Sequence, residues 1–503
     1  MIDIEKSLQK LEQDYSAQQP RLITDLFKVD DKRRQKFSRQ LQGLSYDFSK
    51  QNIDDSDLLA LLNLVKPHDW LTKKIKSMFV GDKINTTEHR AVLHTALRNY
   101  NQELIVDGHN ISTDILAVQQ KIQSLSQAMD KGQLTGYSNK KINTIVNIGI
   151  GGSDLGLVLA SEALEHYHRP DCNIYFISSV DFDATKQVWE KINPETTVFI
   201  IVSKTFTTQE TMVNAKLIKS WFEQLLLANN HNPSLAIKKQ FFAVSNNLSA
   251  CLNFGISYEN IFLFWDFVGG RYSIWSAVSL SLVLYIGYDH YLQMLEGAKV
   301  MDDHFQSAPL VDNIPVLMAL IGIWNINICN CTSLLIAPYN QCLRSLPAYL
   351  QQLEMESNGK SINSQGQTCN YQTSPIIWGS SANNAQHAYY QMLHQGTQTI
   401  PVDIIITKLN QTNKILYANA LAQAQALMTG DQNADIYKKC IGNKPSSFIV
   451  LEQISPYYLG MLLALYEHKV FVQGAIWQIN SFDQMGVELG KKITNRILSE
   501  LVI

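Results

Sequence analysis

Two glutamates stand two positions apart in the segment 351–360, which has the sequence QQLEMESNGK. A carboxylate can take a weakly acidic proton from a carbon and return it to a neighbouring one, and burial that raises its pKa towards neutrality improves it in this role. On a helix, Glu354 and Glu356 would point in different directions, so at most one of them is expected to face a substrate. Their spacing does not decide which one.

Two glycine- and hydroxyl-rich segments have the composition of an anion site. Residues 147–156 (NIGIGGSDLG) follow one apolar run, and residues 203–211 (SKTFTTQET) follow another. Glycines let the first segment turn sharply beside a ligand, and the amides and dipole of the helix that follows attract an anion. In the second segment every side chain except Phe206 can form hydrogen bonds. Together the two segments predict a phosphate cradle, to which Ser153 would contribute a hydroxyl.

Three further residues are candidates for charge stabilisation or proton transfer. Arg271 follows two glycines before an apolar helix, and its permanent charge could stabilise an oxyanion, with a surface ion pair as the alternative. His387 lies early in a predicted helix, where a lone histidine is more often structural. Lys491 ends the segment 480–491 (NSFDQMGVELGK), which otherwise resembles a helix start capped by a serine or an aspartate.

The sequence argues against nucleotide and metal sites. Counting from Gly149, the sixth position is Asp154, so the dinucleotide pattern G-x-G-x-x-G fails, although Asp181 after the next strand imitates its ribose-binding acid. The absence of a following G-K-S/T excludes a P-loop. Cys329 and Cys331 have no second Cys/His pair at metal-ligand spacing.

Composition and charge describe an ordinary globular protein. The chain has 503 residues, which is too long for one hydrophobic core, and 46% of them are hydrophobic while 17% are charged. A net charge of −3 argues against a nucleic-acid partner. The seven cysteines are odd in number and scattered, which is typical of reduced thiols in a cytosolic protein.

A membrane location is not expected. The sequence begins MIDIEK, without the cationic and then apolar layout of a secretory signal. Residues 316–339 carry no charge, but three asparagines and a proline interrupt them, so they predict a buried helix and a strand at 333–337 instead of a membrane span. We therefore predict a cytoplasmic protein with no membrane partner.

Apolar periodicity predicts helices first and α/β units later. Helical spacing covers residues 56–65 and 87–98, with Thr87 as a candidate cap. From about residue 141, β-branched runs alternate with helical spans, and after helices at 274–285 and 292–305 a second such series begins. The predicted strands are 142–150, 173–178, 197–202, 240–245, 261–265, 333–337, 376–378, 402–407 and 448–451. This alternation predicts two doubly wound parallel sheets with sites beyond the carboxyl ends of their strands.

These segments together resemble the glucose-6-phosphate isomerase (phosphoglucose isomerase) family, which has sugar-isomerase (SIS) domains. The strings SKTFTTQET, MESNGK and FDQMGVELGK are the most specific, whereas the first 80 residues carry little. The resemblance implies an α/β fold of two doubly wound parallel-sheet (SIS-type) α/β/α sandwich domains, with a helical N-terminal extension and a C-terminal helical tail. The expected division is 1–110 for the extension, 111–285 and 286–470 for the two SIS-type domains, and 471–503 for a C-terminal segment that completes the active site.

The implied function is the reversible isomerisation of glucose 6-phosphate and fructose 6-phosphate through a cis-enediol intermediate, in glycolysis and gluconeogenesis. No metal or organic cofactor is expected, and the expected assembly is a cytoplasmic homodimer. Two alternatives stay open, a non-catalytic SIS-type sensor and an isomerase with another sugar phosphate, such as mannose 6-phosphate. A sensor would have no need for a carboxylate, a histidine and a lysine together.

The resemblance also assigns roles to individual residues. The family's glutamate base falls on Glu356 instead of Glu354, and the arginine beside the enediolate falls on Arg271. The ring-opening histidine falls on His387, which is expected to come from the partner subunit, and Lys491 is expected near the ring oxygen. The residues expected to bind the substrate are Gly152, Ser153, Ser203, Lys204, Thr205, Thr208, Gln352 and Gln484.

One segment departs from the family pattern. Members commonly have Gly-Thr-Asn-Gly before the Gln-His pair, whereas residues 381–385 read SANNA here. The loss of two glycines restricts the backbone angles. The geometry of the loop that presents His387 is therefore left open, while the identity of the reaction is not affected.

Overall fold

The computed structural model describes residues 3–99, 101–431 and 435–501, and these residues fold around two mainly parallel β-sheets flanked by helices. The strands are β1 (Ser38–Leu41), β2 (Leu44–Lys50), β3 (Ile105–Val106), β4 (His109–Asn110), β5 (Thr144–Ile148), β6 (Asn173–Ile177), β7 (Thr197–Val202), β8 (Phe241–Val244), β9 (Ile261–Phe262), β10 (Ser333–Pro338), β11 (Ile376–Gly379), β12 (Val402–Thr407) and β13 (Ser446–Leu451). Strands β3 and β4 form a small separate hairpin.

The α-helices are α1 (Ile4–Ser16), α2 (Ile23–Val29), α3 (Arg33–Lys36), α4 (Asp55–Leu62), α5 (Trp70–Val80), α6 (Ile111–Asp130), α7 (Leu155–Ala163), α8 (Phe182–Trp189), α9 (Gln209–Ala228), α10 (Pro233–Gln240), α11 (Leu248–Phe254), α12 (Leu280–Ile286), α13 (Tyr288–Ser307), α14 (Ile314–Ile323), α15 (Leu346–Leu350), α16 (Ala382–Ala385), α17 (Tyr390–Gln395), α18 (Lys414–Thr429), α19 (Pro456–Ile476) and α20 (Glu488–Glu500). Short 3-10 turns cover Pro67–Asp69, Thr95–Arg98, Gly151–Ser153, Glu165–Tyr167, Tyr258–Asn260, Gly270–Trp275, Ala277–Ser279, Gln341–Leu343 and Met485–Val487, and π-helical turns cover Trp324–Ile328 and Gln351–Glu356.

The first sheet has the strand order β6-β5-β7-β8-β9, and all of its strands run parallel. Every residue of β5 and β7 is buried, as expected for a parallel sheet that is covered on both faces. The chain winds outwards in both directions from β5, so a ligand site is expected at the carboxyl ends of β5 and β7.

The second sheet has the order β1-β2-β13-β12-β10-β11, and its last four strands run parallel. The hairpin of β1 and β2 adds to it in an antiparallel sense against β13. The predicted fold class is confirmed, but the first hundred residues are not all helical. The signal for β2 is present in its sequence LSYDFSK, because apolar residues alternate with polar ones and the burial alternates with them over the first four residues.

The helix predicted over residues 87–98 does not form as an α-helix. His89 has a φ of 55°, and Asn85 pairs with Arg90 across a tight turn, so only Thr95–Arg98 is helical. Thr87 does not cap a helix, because its hydroxyl donates to the carboxylate of Asp483 at 2.5 Å. Tertiary contacts with the C-terminal segment therefore override the helical spacing.

The long helices α13 and α19 pack closely in the core between the two sheets. A Cβ atom added to Gly297 of α13 would lie 1.8 Å from the carbonyl oxygen of Tyr457, and one added to Gly460 of α19 would lie 2.0 Å from that of Met294. The two helix backbones approach each other at this point because neither glycine has a side chain. Among the described residues, no helix combines the length and apolarity needed to cross a membrane.

We expect Gly297→Ala to lower the free energy of unfolding by at least about 2 kcal/mol, because the methyl group would force α13 away from the backbone of Tyr457. Urea unfolding at a fixed protein concentration measures this change. The matched control is Gly490→Ala in α20, where nothing lies within 4 Å of the new Cβ and a helical Gly→Ala change stabilises by up to about 1 kcal/mol. Equal effects of the two substitutions would contradict the packing argument.

Candidate active site

The carboxyl ends of β5 and β7 bring the two predicted anion-binding segments together, because these strands are neighbours in the first sheet. They face a cavity of about 330 Å³. Seven of the residues predicted to bind substrate line this cavity, namely Gly152, Ser153, Ser203, Lys204, Thr205, Thr208 and Gln484. The sequence prediction of a shared cradle therefore agrees with the geometry.

Hydroxyl groups and a helix start form one wall of the cavity. Ser203 Oγ donates to Thr208 Oγ1 at 3.1 Å, and α9 begins at Gln209 without a side-chain cap. The first amides of this twenty-residue helix and its dipole therefore favour an anion beside Thr208. This arrangement suits a phosphate without requiring a large positive charge.

Lys204 supplies a cation to the same wall. Its ammonium donates to the carbonyl oxygens of Asp266 and Val268 at 3.1 and 3.2 Å, and the Asp266 carboxylate lies 3.3 Å away. Burial lowers the pKa of Lys204, while the charge of Asp266 acts in the opposite direction. The lysine is thus held in place at the cavity, near the hydroxyl groups.

Gly152 lets the first anion-binding segment contact the segment that carries Arg271. A Cβ atom at this position would lie 2.2 Å from the carbonyl carbon and oxygen of Gly270. Ser273 Oγ also donates to the carbonyl oxygen of Gly152 at 3.2 Å. Because residue 152 has no side chain, the glycine loop packs directly against the backbone of Gly270, the residue before Arg271.

Arg271 lies in the 3-10 turn Gly270–Trp275 and not at the start of the long helix predicted over residues 274–285. The residue is 4% exposed, and its guanidinium forms five hydrogen bonds. They go to Ser357 Oγ (2.6 Å), Gln484 Oε1 (3.0 Å), Glu356 Oε2 (3.3 Å), and the carbonyl oxygens of Ser481 (2.7 Å) and Asp483 (2.9 Å). The arginine thereby joins the glutamate segment to the C-terminal segment.

The structure separates the two glutamates that their spacing left equivalent. Glu354 is 1% exposed and its Oε2 lies 2.5 Å from the ammonium of Lys469, inside the core. Glu356 has a side chain that is 23% exposed, and its Oε2 faces Arg271 Nη1. Of the two carboxylates, Glu356 is therefore the partly exposed one, and its partner Arg271 contacts the cavity wall through Gln484.

Gln352 lies on the same π-helical turn as Glu356 and contacts the glycine loop. A Cβ atom added to Gly151 would lie 2.9 Å from Gln352 Nε2, and Gly151 has a φ of 61°. The amide of Gln352 thus reaches the loop that also carries Ser153. This contact links the glutamate segment to the phosphate cradle.

His387 and Lys491 do not lie among the residues that line this cavity. His387 is exposed on a turn that follows α16. Lys491 is exposed on α20, and its ammonium pairs with Glu488 Oε1 at 2.7 Å. Glu356 and Arg271 do not line the cavity either, but they pair with each other and reach its wall through Gln484, whereas no hydrogen bond or ion pair found among the described residues joins His387 or Lys491 to them.

The segment 381–385 that departs from the family pattern adopts ordinary backbone angles. Its residues form the short helix α16, and Ser381, at its N-terminus, has a φ of −52°. Ser381 Oγ donates to Gln341 Oε1 at 2.6 Å. The glycines of the family pattern are therefore not needed for the conformation seen here.

Sequence reasoning missed part of the cavity wall. Asn85, Glu88 and Arg90 line the cavity from the tight turn that replaces the predicted helix. Lys360 was also missed, although it ends the segment of the two glutamates. Its ammonium donates to four carbonyl oxygens, those of Glu356 (3.2 Å), Ser357 (2.8 Å), Asn480 (2.9 Å) and Asp483 (3.0 Å). The helical spacing over residues 87–98 hid the turn that carries Asn85, Glu88 and Arg90.

The chain is similar to known proteins over nearly its whole length. Residues 47–502 match the family model described as phosphoglucose isomerase. The chain is 46% identical to the glucose-6-phosphate isomerase of Helicobacter pylori strain P12, over 99% of this chain and 94% of that protein. It is also 46% identical to glucose-6-phosphate isomerase 1 of Chromohalobacter salexigens, over 94% and 87%. A crystal structure of a glucose-6-phosphate isomerase from Chlamydia trachomatis superposes with a TM-score of 0.88 at 32% identity, over 99% of this chain and 95% of that one.

Proposed function

This chain belongs to the phosphoglucose isomerase family, and from that premise we propose how its residues carry out the family's reaction. The reaction is the reversible interconversion of glucose 6-phosphate and fructose 6-phosphate, an aldose–ketose isomerisation in glycolysis and gluconeogenesis. One observation supports the assignment of catalytic and binding roles to individual residues. The carboxylate of Glu356 lies 3.3 Å from the buried Arg271, next to a cavity with a hydroxyl-rich anion cradle.

The cradle binds the phosphate group. Ser153, Ser203 and Thr208 offer hydroxyls, the start of α9 offers amides, and Lys204 offers a positive charge. The phosphate is remote from the reacting carbons, so its binding energy orients C1 and C2 of the sugar without taking part in bond breaking. Gln484 lines the cavity, and Gln352 approaches the glycine loop from the turn that carries Glu356.

Glu356 transfers the proton between the two reacting carbons. In the forward direction its carboxylate removes the proton from C2 of the open-chain aldose, which gives a cis-enediol, and it then returns the proton to C1. The negative charge that develops on the oxygen during this step is stabilised by the guanidinium of Arg271, which stays charged at every relevant pH. One carboxylate therefore serves as base and then as acid.

His387 and Lys491 act in ring opening, and a homodimer brings His387 into the site of the partner subunit. Two features of the chain support this part. His387 is exposed away from its own cavity, and α20 exposes an apolar stripe of Leu489, Ile493 and Ile497 at four-residue spacing, which a second subunit could cover. A cytoplasmic location follows from the family resemblance and from the odd number of cysteines.

The four-part division of the chain is kept as a proposal with one change. Residues 111–285 contain the first sheet and residues 286–470 contain the parallel strands of the second. The extension 1–110 adds the hairpin of β1 and β2 to the second sheet, so this hairpin is grouped with the second domain. The segment 471–503 completes the site through Gln484.

We expect Glu356→Gln to lower kcat by about 10³-fold while KM changes only a few fold, because the amide cannot take the C2 proton but still fits the site. The measurement is a coupled assay of glucose 6-phosphate formed from fructose 6-phosphate with excess chelator present, in which the unmodified protein should turn over. Glu452→Gln, a remote exposed carboxylate paired with Lys408, is the control. Near-normal turnover of Glu356→Gln would refute the assigned base.

We expect Ser203→Ala and Thr208→Val each to raise KM by about tenfold or more with a smaller change in kcat, because each loses a hydrogen bond to a charged phosphate. The same assay with fructose 6-phosphate varied measures both constants. Thr412→Ala, which removes a hydroxyl on a remote exposed loop, is the control. An unchanged KM in both cradle variants would argue against phosphate binding there.

We expect mixed dimers of Glu356→Gln and His387→Ala subunits to recover about half of the unmodified activity, although each homodimer is nearly inactive. In such a dimer one site combines both defects, while the other combines an intact Glu356 with an intact His387 from the partner. Subunit exchange followed by isolation of the hybrid with two different affinity tags measures this. If His387 acted within its own chain, each site would carry one defect and no activity would return.

A further inference from the structure

Glu356 is the last residue of the π-helical turn Gln351–Glu356, which follows α15. Turns of this kind are rare and occur frequently at functional sites. We propose that the buried ion pair between Glu354 and Lys469 is a positioning device, which holds this π-helical turn so that Glu356 faces Arg271. The inference rests on the proposed role of Glu356 as the base.

The ion pair joins the turn to α19, a long helix of the core. Lys469 lies on α19, whose residues are buried without interruption from Leu459 to Ile476. The ammonium of Lys469 lies 2.5 Å from Glu354 Oε2, and each of the two side chains is 1% exposed. Because α19 is packed against α13 and α14, it is a rigid anchor for the turn.

A second buried carboxylate, that of Asp403, also interacts electrostatically with Lys469. Asp403 on β12 is buried and accepts a hydrogen bond from the hydroxyl of Tyr466 at 3.3 Å. Burial raises the pKa of Asp403 to about 6, the positive charge of Lys469 opposes this shift, and the negative charge of Glu354 adds to it. The charge of Lys469 therefore acts on both carboxylates, and its removal alone would leave Glu354 buried without its ion-pair partner.

The geometry of the turn explains why it must be held. A π-helical turn contains about one residue more than an α-helical turn, so conversion to an α-helix would rotate the last residues of the turn, Glu356 among them, by up to about 100° around the helix axis. Glu356 Oε2, now 3.3 Å from Arg271 Nη1, would then point elsewhere. Lys360 holds the far end of the turn through the carbonyl oxygens of Glu356 and Ser357, at 3.2 and 2.8 Å. Lys469 holds its inner face, where Glu354 Oε1 has no hydrogen-bond partner among the described residues.

A purely structural role is the alternative, and it makes a different prediction. A buried ion pair can often be replaced by apolar side chains of similar volume with little loss of stability. If the pair only filled the core, Glu354→Met with Lys469→Met would leave a folded enzyme with its kinetics unchanged. If the pair positions Glu356, the same double variant would fold but would transfer the proton slowly.

The experiment compares the Glu354→Met/Lys469→Met double variant with the unmodified protein in steady-state kinetics. We expect kcat to fall by about 10- to 100-fold, in line with the loss of well-oriented proton transfer, while KM for fructose 6-phosphate stays within about threefold. The primary kinetic isotope effect with 2-deuterated glucose 6-phosphate should rise, because proton transfer from C2 becomes more fully rate-limiting. A folded double variant with kcat within about twofold of normal and an unchanged isotope effect would overturn the inference.

Two single variants keep the test decisive if the double variant does not fold. Lys469→Arg preserves the ion pair with Glu354, whereas Lys469→Met abolishes it. We therefore expect a clearly higher kcat for the arginine variant than for the methionine variant. Equal kcat values for the two variants would overturn the proposal. Lys444→Met is the matched control. Lys444 is 4% exposed and donates to the carbonyl oxygens of Gly396 and Gln398 at 3.1 and 3.3 Å, so its loss should affect stability but not kcat.

Parallel measurement of Glu356→Gln separates failure of this inference from failure of the proposed function. If Glu356→Gln is inactive while the ion-pair variants behave normally, Glu356 is the base but the pair does not position it. If Glu356→Gln turns over normally, the assignment of the base fails, and the positioning inference fails with it.

Discussion

The guanidinium of Arg271 is buried, and its five hydrogen bonds reach acceptors in two other segments of the chain. An arginine cannot lose its charge in a protein, so these acceptors must stay in place around it. Glu356, Ser357 and the loop 481–484 are therefore held by one cation. The cavity takes its shape from this contact, because Gly152 of the cradle packs directly against the residue before Arg271.

The two sheets carry different parts of the candidate site. The first sheet supplies the anion cradle at the carboxyl ends of β5 and β7, where a doubly wound sheet exposes loops and helix starts. The glutamate segment follows β10 of the second sheet, and the helix α19 lies beneath it. The predicted anion cradle and the proposed base thus lie on separate parts of the fold, and the core includes the close packing of α13 against α19 at Gly297 and Gly460.

Several features of the fold and the site could be predicted because their signals are local. The strands of both parallel sheets were predicted to within a few residues, since buried parallel strands are short continuous apolar runs. The cradle was predicted because glycine- and hydroxyl-rich segments followed two of those runs. The hairpin of β1 and β2 and the turn at residues 85–90 were missed, since the former depends on pairing with β13 and the latter on contacts with Asn480 and Asp483.

The sequence by itself determined the α/β class and the family, and it predicted the anion cradle, because strand periodicity and specific strings are properties of neighbouring residues. The family resemblance assigned the base to Glu356, but only the tertiary structure shows how the surroundings of the two glutamates differ. A sequence pattern does not distinguish two glutamates that lie two positions apart on a helix. In the fold, Glu354 pairs with Lys469 in the core, whereas Glu356 pairs with Arg271 next to the cavity. These partners lie 115 and 85 positions away along the chain, so the spacing of the two glutamates could not by itself predict their surroundings.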